Sequence, residues 1–203
     1  MDVQQLAPGL WRWTAFHPDW KEEVGCVYYE APDAVVLIDP LVPEDEAERF
    51  WGALDRDVER AGTPVHVFVT VFWHVRSTKE VADRYDARVW APTRGRGAIE
   101  RRVGRVTDVY RPGDELPGGV VPLKTARASE VVFWIPPHRT LVVGDVILGG
   151  LRLCPDSWLP EKTSLDDLAE SLRPLLELPV ERVLVSHGEP VLEGGLEALE
   201  RLW

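Results

Sequence analysis

The sequence predicts a mixed α/β fold on a two-sheet core, and three observations predict it. Short apolar runs recur along the 203 residues, amphipathic helical segments lie between them, and one strand pattern occurs once in each half of the chain. The runs cover residues 35–38, 65–73, 120–123, 131–135, 141–148 and 183–185. Bounded by Gly, Pro and Asp, runs of this length read as strands buried on at least one face. The repeated pattern is Ala34-Val35-Val36-Leu37-Ile38-Asp39 and Thr140-Leu141-Val142-Val143-Gly144-Asp145, an apolar strand closing on aspartate.

The helices follow in order. Between the first two runs, residues 43–62 place Ala47, Phe50, Trp51, Leu54, Val58 and Ala61 at spacings of three and four, with acidic residues in the first turn, which suits the helix dipole. Ser77-Thr78-Lys79-Glu80 has the form of a capping box, so a helix through Tyr85 is expected directly after Arg76. Residues 164–178 supply a third helix, with a kink or break expected at Pro174. Residues 195–203 supply the last.

Composition narrows the function classes. The length allows one substantial core, and the expectation is a single domain over residues 1–203. With 45% hydrophobic and 28% charged residues the chain has an ordinary soluble composition, and no apolar run nears the roughly 20 residues that span a bilayer. Met1-Asp2-Val3-Gln4-Gln5 lacks a basic segment leading into an apolar one, so the cytoplasm is the expected compartment. Cys26 and Cys154 lie far apart in sequence, which points to buried free thiols and to neither a disulfide framework nor a cysteine zinc site. A formal net charge of -11 argues against a nucleic-acid partner, because phosphate neutralisation needs a basic surface.

Four segments carry the chemistry. Thr70-Val71-Phe72-Trp73-His74-Val75-Arg76-Ser77 ends an apolar run and precedes a helix. Leu141-Val142-Val143-Gly144-Asp145 and Val183-Leu184-Val185-Ser186-His187-Gly188-Glu189-Pro190 each end a strand on a polar turn, and Val35-Val36-Leu37-Ile38 closes on Asp39. In order and spacing, from about residue 8 to residue 190, these landmarks resemble the metallo-β-lactamase superfamily. The resemblance implies a four-layer αββα sandwich with its site at the open end, where the strand-end loops meet. The family motif there reads Thr-His-x-His-x-Asp-His. Anchored at Thr70, it puts Val71, Trp73, Val75 and Arg76 at the three histidines and the aspartate, and none of the four binds zinc as the family's residues do. Asp145 stands for the aspartate that bridges two metals, and His187 for a late ligand histidine. A fourth histidine, expected in residues 125–130, is absent.

Two ligands are too few for a tight zinc site, since catalytic zinc usually keeps three from the protein. The expectation is therefore a degenerate site with no metal or cofactor, in which His187 and Asp145 are the candidate catalytic residues. Should a metal bind, its ligands are Asp145, His187 and His74, holding one zinc or another divalent ion. Without metal, a buried unpaired Asp145 is costly. A guanidinium meets a carboxylate with two parallel hydrogen bonds, so Arg76 or Arg127 is expected as its counter-ion, with His74 also in the cleft. Plainer roles compete for each residue: Asp145 as a loop-bonding carboxylate, His187 as a hydrogen-bonded loop base, His74 as a packed or surface residue. His17, His66 and His138 fall outside any motif, and His66 alternates with apolar neighbours as an outward-facing strand residue does. Arg88, Arg94, Arg96, Arg101, Arg102 and Arg105 form a local basic stretch that suits either an anionic ligand or a solvated face. Trp11, Trp13, Trp20 and Trp158 serve equally as an aromatic mouth, as core, or as a homodimer contact.

Two function classes follow. The first is a noncanonical or inactive member that binds a small molecule or partner in the former cleft. The alternative is a metal-dependent hydrolase with a single noncanonical metal site, acting on an ester, lactone or phosphodiester. Metal-free acid–base catalysis by His187, oriented by Asp145, has no nucleophile beyond Ser129 or Ser186. Hydrolase activity rests on the resemblance alone, because activity belongs to a site and not to a fold.

Overall fold

Along the strand Val35–Ile38 side chains alternate between two cores: Val35 and Leu37 enter one, Val36 and Ile38 the other. That alternation places the strand inside a layered structure, and the computed structural model, which describes residues 1–203, shows the layers. One sheet holds β1 (Asp2–Ala7), β2 (Leu10–His17), β3 (Glu22–Glu30), β4 (Val35–Ile38), β5 (Val65–Phe68), β6 (Arg88–Pro92) and β7 (Asp108–Tyr110), in that spatial order. The other holds β8 (Val121–Lys124), β9 (Val131–Ile135), β10 (Thr140–Val143) and β13 (Arg182–Val185), ordered β13-β10-β9-β8, while β11 (Ile147–Leu148) and β12 (Arg152–Leu153) form a separate ribbon. Strands β4 to β7 run parallel, as do β10 and β13.

Three apolar cores separate four layers. Val36, Ile38 and Phe68 meet Phe133, Ile135, Val142 and Leu184 between the sheets. On the outer face of the first sheet pack α1 (Ala47–Ala61), α2 (Thr78–Tyr85) and α3 (Arg96–Val103), through Phe50, Leu54, Val81, Ala82 and Ile99. On the outer face of the second pack α4 (Leu165–Leu172) and α5 (Gly195–Glu200), through Leu168, Leu172 and Leu199. This is the expected αββα sandwich. No helix is long and apolar enough to cross a membrane.

Local chemistry explains where elements stop and where expectations fail. A short 3-10 turn, Glu44–Glu46, leads into α1, which ends on Gly62 in the left-handed conformation at φ 63. Helix α2 spans the expected residues, but its capping box does not form. Ser77 Oγ instead accepts the Val42 N–H at 3.0 Å, fastening the helix start to the loop after β4. The box forms at Ser164 and Asp167, at the start of α4. That helix ends at Leu172 and continues as a 3-10 turn, Arg173–Glu177, because Pro174 removes a donor at the junction. His66 does not face outward: it is buried, and its Nδ1 accepts the Trp90 indole N–H at 3.0 Å. Trp13 is core, its N–H bonded to the Leu41 carbonyl at 2.9 Å, and Trp11 packs edge-on to Tyr28. Both expected thiols, Cys26 and Cys154, are free and buried.

Candidate functional site

Four strand ends deliver the site. Asp39 follows β4, Thr70 follows β5, Gly144-Asp145 follows β10 and Ser186-His187 follows β13, so the polar residues collect at the carboxyl ends of parallel strands, where such sheets place ligands. Asp39 accepts the Thr70 N–H at 2.8 Å on Oδ1 and the Thr70 hydroxyl on Oδ2. The same Oδ2 lies 2.9 Å from His74 Nδ1, while His74 Nε2 lies 3.0 Å from Asp145 Oδ1. His187 approaches that oxygen from another side, Nε2 at 3.1 Å, and its Nδ1 lies 3.2 Å from Glu22 Oε1. His74 is fully buried between its two aspartates.

A second set of residues fixes Asp145. The Trp73 indole N–H donates to Oδ2 at 2.6 Å. Glu130 Oε1 accepts the backbone N–H groups of Asp145 and Val146 at 2.6 and 2.9 Å, and its Oε2 accepts from Arg127 at 2.6 Å. Arg127 also donates to the Trp158 carbonyl at 2.6 Å, with its guanidinium 5.1 Å from the Trp73 ring centroid. Gly144 has to be glycine: a Cβ there would stand 2.7 Å from Glu130 Oε1 and 2.8 Å from Thr70 Oγ1.

The expected arginine counter-ion is not found. Arg76, at φ 38, turns its guanidinium to the carbonyls of Gly25 and Asp39, each at 2.9 Å, and Arg127 is spent on Glu130. The side chain that meets Asp145 in their place is His74. Burial and the nearby Arg76 disfavour its charged form, but Asp145 and Asp39 outweigh both and raise its pKa. Burial pushes the Asp145 carboxyl up, and the two histidines more than reverse this, holding it below the usual carboxylate range. Val71, Phe72, Val75 and Arg76 contribute no side chain to the convergence.

Asp145, His187 and Glu22 open onto a cavity of about 520 Å³ walled by Trp20, Trp73, Trp158 and Arg127. Two of the four tryptophans expected at the mouth are therefore there, and two are packed elsewhere. Sequence reasoning missed Glu22, Glu130 and the roles of Asp39 and Trp73. Glu130 carried one signal, an acid directly abutting the wholly buried run of β9.

A sequence profile described as "Metallo-beta-lactamase superfamily" matches residues 4–203. The chain belongs to the metallo-β-lactamase superfamily. Solved structures agree on the fold. The chain is similar to a beta-lactamase domain protein from Burkholderia ambifaria, at TM-score 0.74 and 18% identity over 99% of this chain and 71% of that one. It is similar also to a metallo-beta-lactamase family protein from Thermus thermophilus, at 0.69 and 19% over 98% and 79%, and to a metallo-beta-lactamase from Hirschia baltica, at 0.68 and 17% over 99% and 95%. No curated protein matches the chain.

Metal is implied by this superfamily, and the donor set of this member can be tested against one ion. His74, Asp145 and His187 each offer a ligand atom, all within 4.8 Å of one another. A tetrahedral site with bonds of about 2.0–2.1 Å has edges of about 3.3–3.4 Å, close to the 3.0 and 3.1 Å observed. His74 Nε2 and Asp145 Oδ1 are buried atoms 3.0 Å apart with no hydrogen-bond partner of their own. His74 is backed at Nδ1 by Asp39, the support that metal-ligating histidines usually have, while His187 Nδ1 lies 3.2 Å from Glu22 with no hydrogen bond between them. Two nitrogens and one oxygen fit a single divalent ion.

Proposed function

We propose that this superfamily member is a hydrolase that holds one divalent cation on His74 Nε2, Asp145 Oδ1 and His187 Nε2, and acts on an ester, lactone or phosphodiester bound in the tryptophan-walled cavity. The convergence of one ligand atom each from His74, Asp145 and His187, all within 4.8 Å of one another, carries the reading. A divalent ion supplies Lewis-acid polarisation of a carbonyl or phosphoryl oxygen. The chain's own groups do the rest. Asp39 meets His74 Nδ1 at 2.9 Å, which leaves the Nε2 lone pair of His74 on the side of Asp145. Trp73 and Glu130 fix the Asp145 carboxylate and its backbone. Trp20 and Trp158 give the cavity an aromatic wall.

A specific observation favours a second reading. His74 lies between two carboxylates with a raised pKa, so its imidazolium can itself replace a metal, and the cavity then serves to bind a small molecule or partner without hydrolysis. One experiment separates the two. Elemental analysis after loading with zinc, manganese or iron should find near one ion per chain in the wild type and none in His187→Ala or His74→Ala, with esters, lactones and phosphodiesters then screened on the loaded protein. No ion under any loading overturns the hydrolase reading and leaves the metal-free one.

A further inference from the structure

Beyond the site lies a second cavity, of about 530 Å³, on the opposite side of the segment spanning residues 125–130. We propose that it binds a phosphorylated small molecule through Arg94, Arg111 and Lys124. The three cations come from three elements: Arg94 from the turn after β6, Arg111 from the residue following β7, and Lys124 from the last position of β8. Because β6 and β7 are parallel, the two arginines stand at carboxyl strand ends, and β8 is the facing edge of the other sheet. Sequence spacing alone did not group them.

Four of the other five arginines of the local basic stretch have partners on a solvated face, and the fifth, Arg101, is exposed. Arg88 pairs with Asp108 at 2.5 Å, Arg96 with Glu100 at 3.6 Å and Arg105 with Asp86 at 3.4 Å, while Arg102 donates to the Ala98 carbonyl at 3.1 Å. Arg94, Arg111 and Lys124 form no ion pair, although acidic residues outnumber basic ones 34 to 23. Two carboxylates are nearby, and both are engaged. Asp114 Oδ2 accepts the Arg111 backbone N–H at 2.7 Å, and Glu130, which reaches the cavity wall, is neutralised by Arg127 at 2.6 Å and by two backbone N–H groups. The hollow is therefore lined by three cations that form no ion pair, on a protein that is acidic as a whole.

The chemistry selects phosphate. A phosphate monoester carries about -1.5 to -2 charges near neutral pH and offers three acceptor oxygens, which suits two guanidinium forks and an ammonium. The volume lies within the range of about 300–1,000 Å³ typical of small-ligand pockets, and Pro92, Tyr110 and Pro112 give it an apolar flank for an organic body. The inference does not depend on a cation at His74, Asp145 and His187.

Isothermal titration at low ionic strength tests it, with pyrophosphate, adenosine monophosphate and, as the neutral counterpart, adenosine as probes. Pyrophosphate and the monophosphate should bind wild type and the His187→Ala variant alike, and adenosine should not bind. Arg94→Ala, Arg111→Ala and Lys124→Ala should each weaken binding about tenfold, the scale of a lost charge-assisted hydrogen bond. Arg101→Ala, an exposed cation off the cavity, should leave it unchanged. Absence of binding at millimolar pyrophosphate overturns the proposal. So does equal binding by the triple alanine variant, or loss in His187→Ala, which would move the anion to the first cavity.

Discussion

The indole N–H of Trp73 donates to Asp145 Oδ2 across 2.6 Å. A position that the family resemblance assigns to a ligand histidine thus holds a donor to the Asp145 carboxylate, whose Oδ1 faces His74 and His187. Trp73→Phe keeps an aromatic ring beside Arg127 and removes only the donor. Zinc affinity, measured by competition with a chromophoric chelator, should fall about 10–100-fold, as for other groups that orient metal ligands. Unchanged affinity would mean that the backbone bonds from Glu130 orient Asp145 without help.

Glu130 is the least replaceable polar residue near the site. Glu130→Ala strands the Arg127 guanidinium and two backbone N–H groups in a dry interior, and urea unfolding should show a loss of about 3–5 kcal/mol. Removing the partner as well, in Glu130→Leu with Arg127→Met, should recover a large part of that loss, since an apolar pair leaves no uncompensated charge. A double variant no more stable than the single one would show that the backbone contacts, and not the ion pair, dominate.

Acid sensitivity should centre partly on Asp55, which joins α1 to α2. Arg84 meets it with two bonds at 2.8 and 2.6 Å and the Tyr85 hydroxyl donates at 2.7 Å, lowering its pKa to about 2 against modest desolvation. A depressed carboxylate contributes stability above its unfolded pKa near 3.8 and loses it as pH falls through the folded value of about 2. Asp55→Asn should lower stability at neutral pH and flatten the decline between about pH 4 and pH 2. The pair is exposed, so the effect should be small; a variant with an unchanged acid limb would remove Asp55 from the account.

The layered fold was legible because strand ends and helix stripes are written in local pattern. Asp39, Asp145 and His187 could be placed at strand ends, and α2 began where the sequence put it. The site itself was only half legible. Arginine at position 76 has the charge to answer Asp145, yet a left-handed backbone sends it to two carbonyls, while His74, at a family position with no ligand duty, enters the gap. Which way a side chain leaves a turn depends on backbone angles that no periodicity encodes. Ser77 shows the same limit: its residue type suits a cap, but a tertiary donor, Val42, takes its hydroxyl. Glu22 lies far in sequence from His187, and only the meeting of two sheets brings them together; Glu130 reaches Asp145 across the β9–β10 hairpin of one sheet.

The short segment from Thr125 to Glu130 supplies Arg127 to the wall of one cavity and Thr125, Ala126, Ala128 and Glu130 to the wall of the other. The two hollows therefore share one short wall. Any displacement of it that an occupant on one side favours changes affinity on the other side, and by reciprocity the second occupant changes the first by the same factor. An occupant of one cavity that displaced residues 125–130 would be felt in the other with no helix or strand having to move.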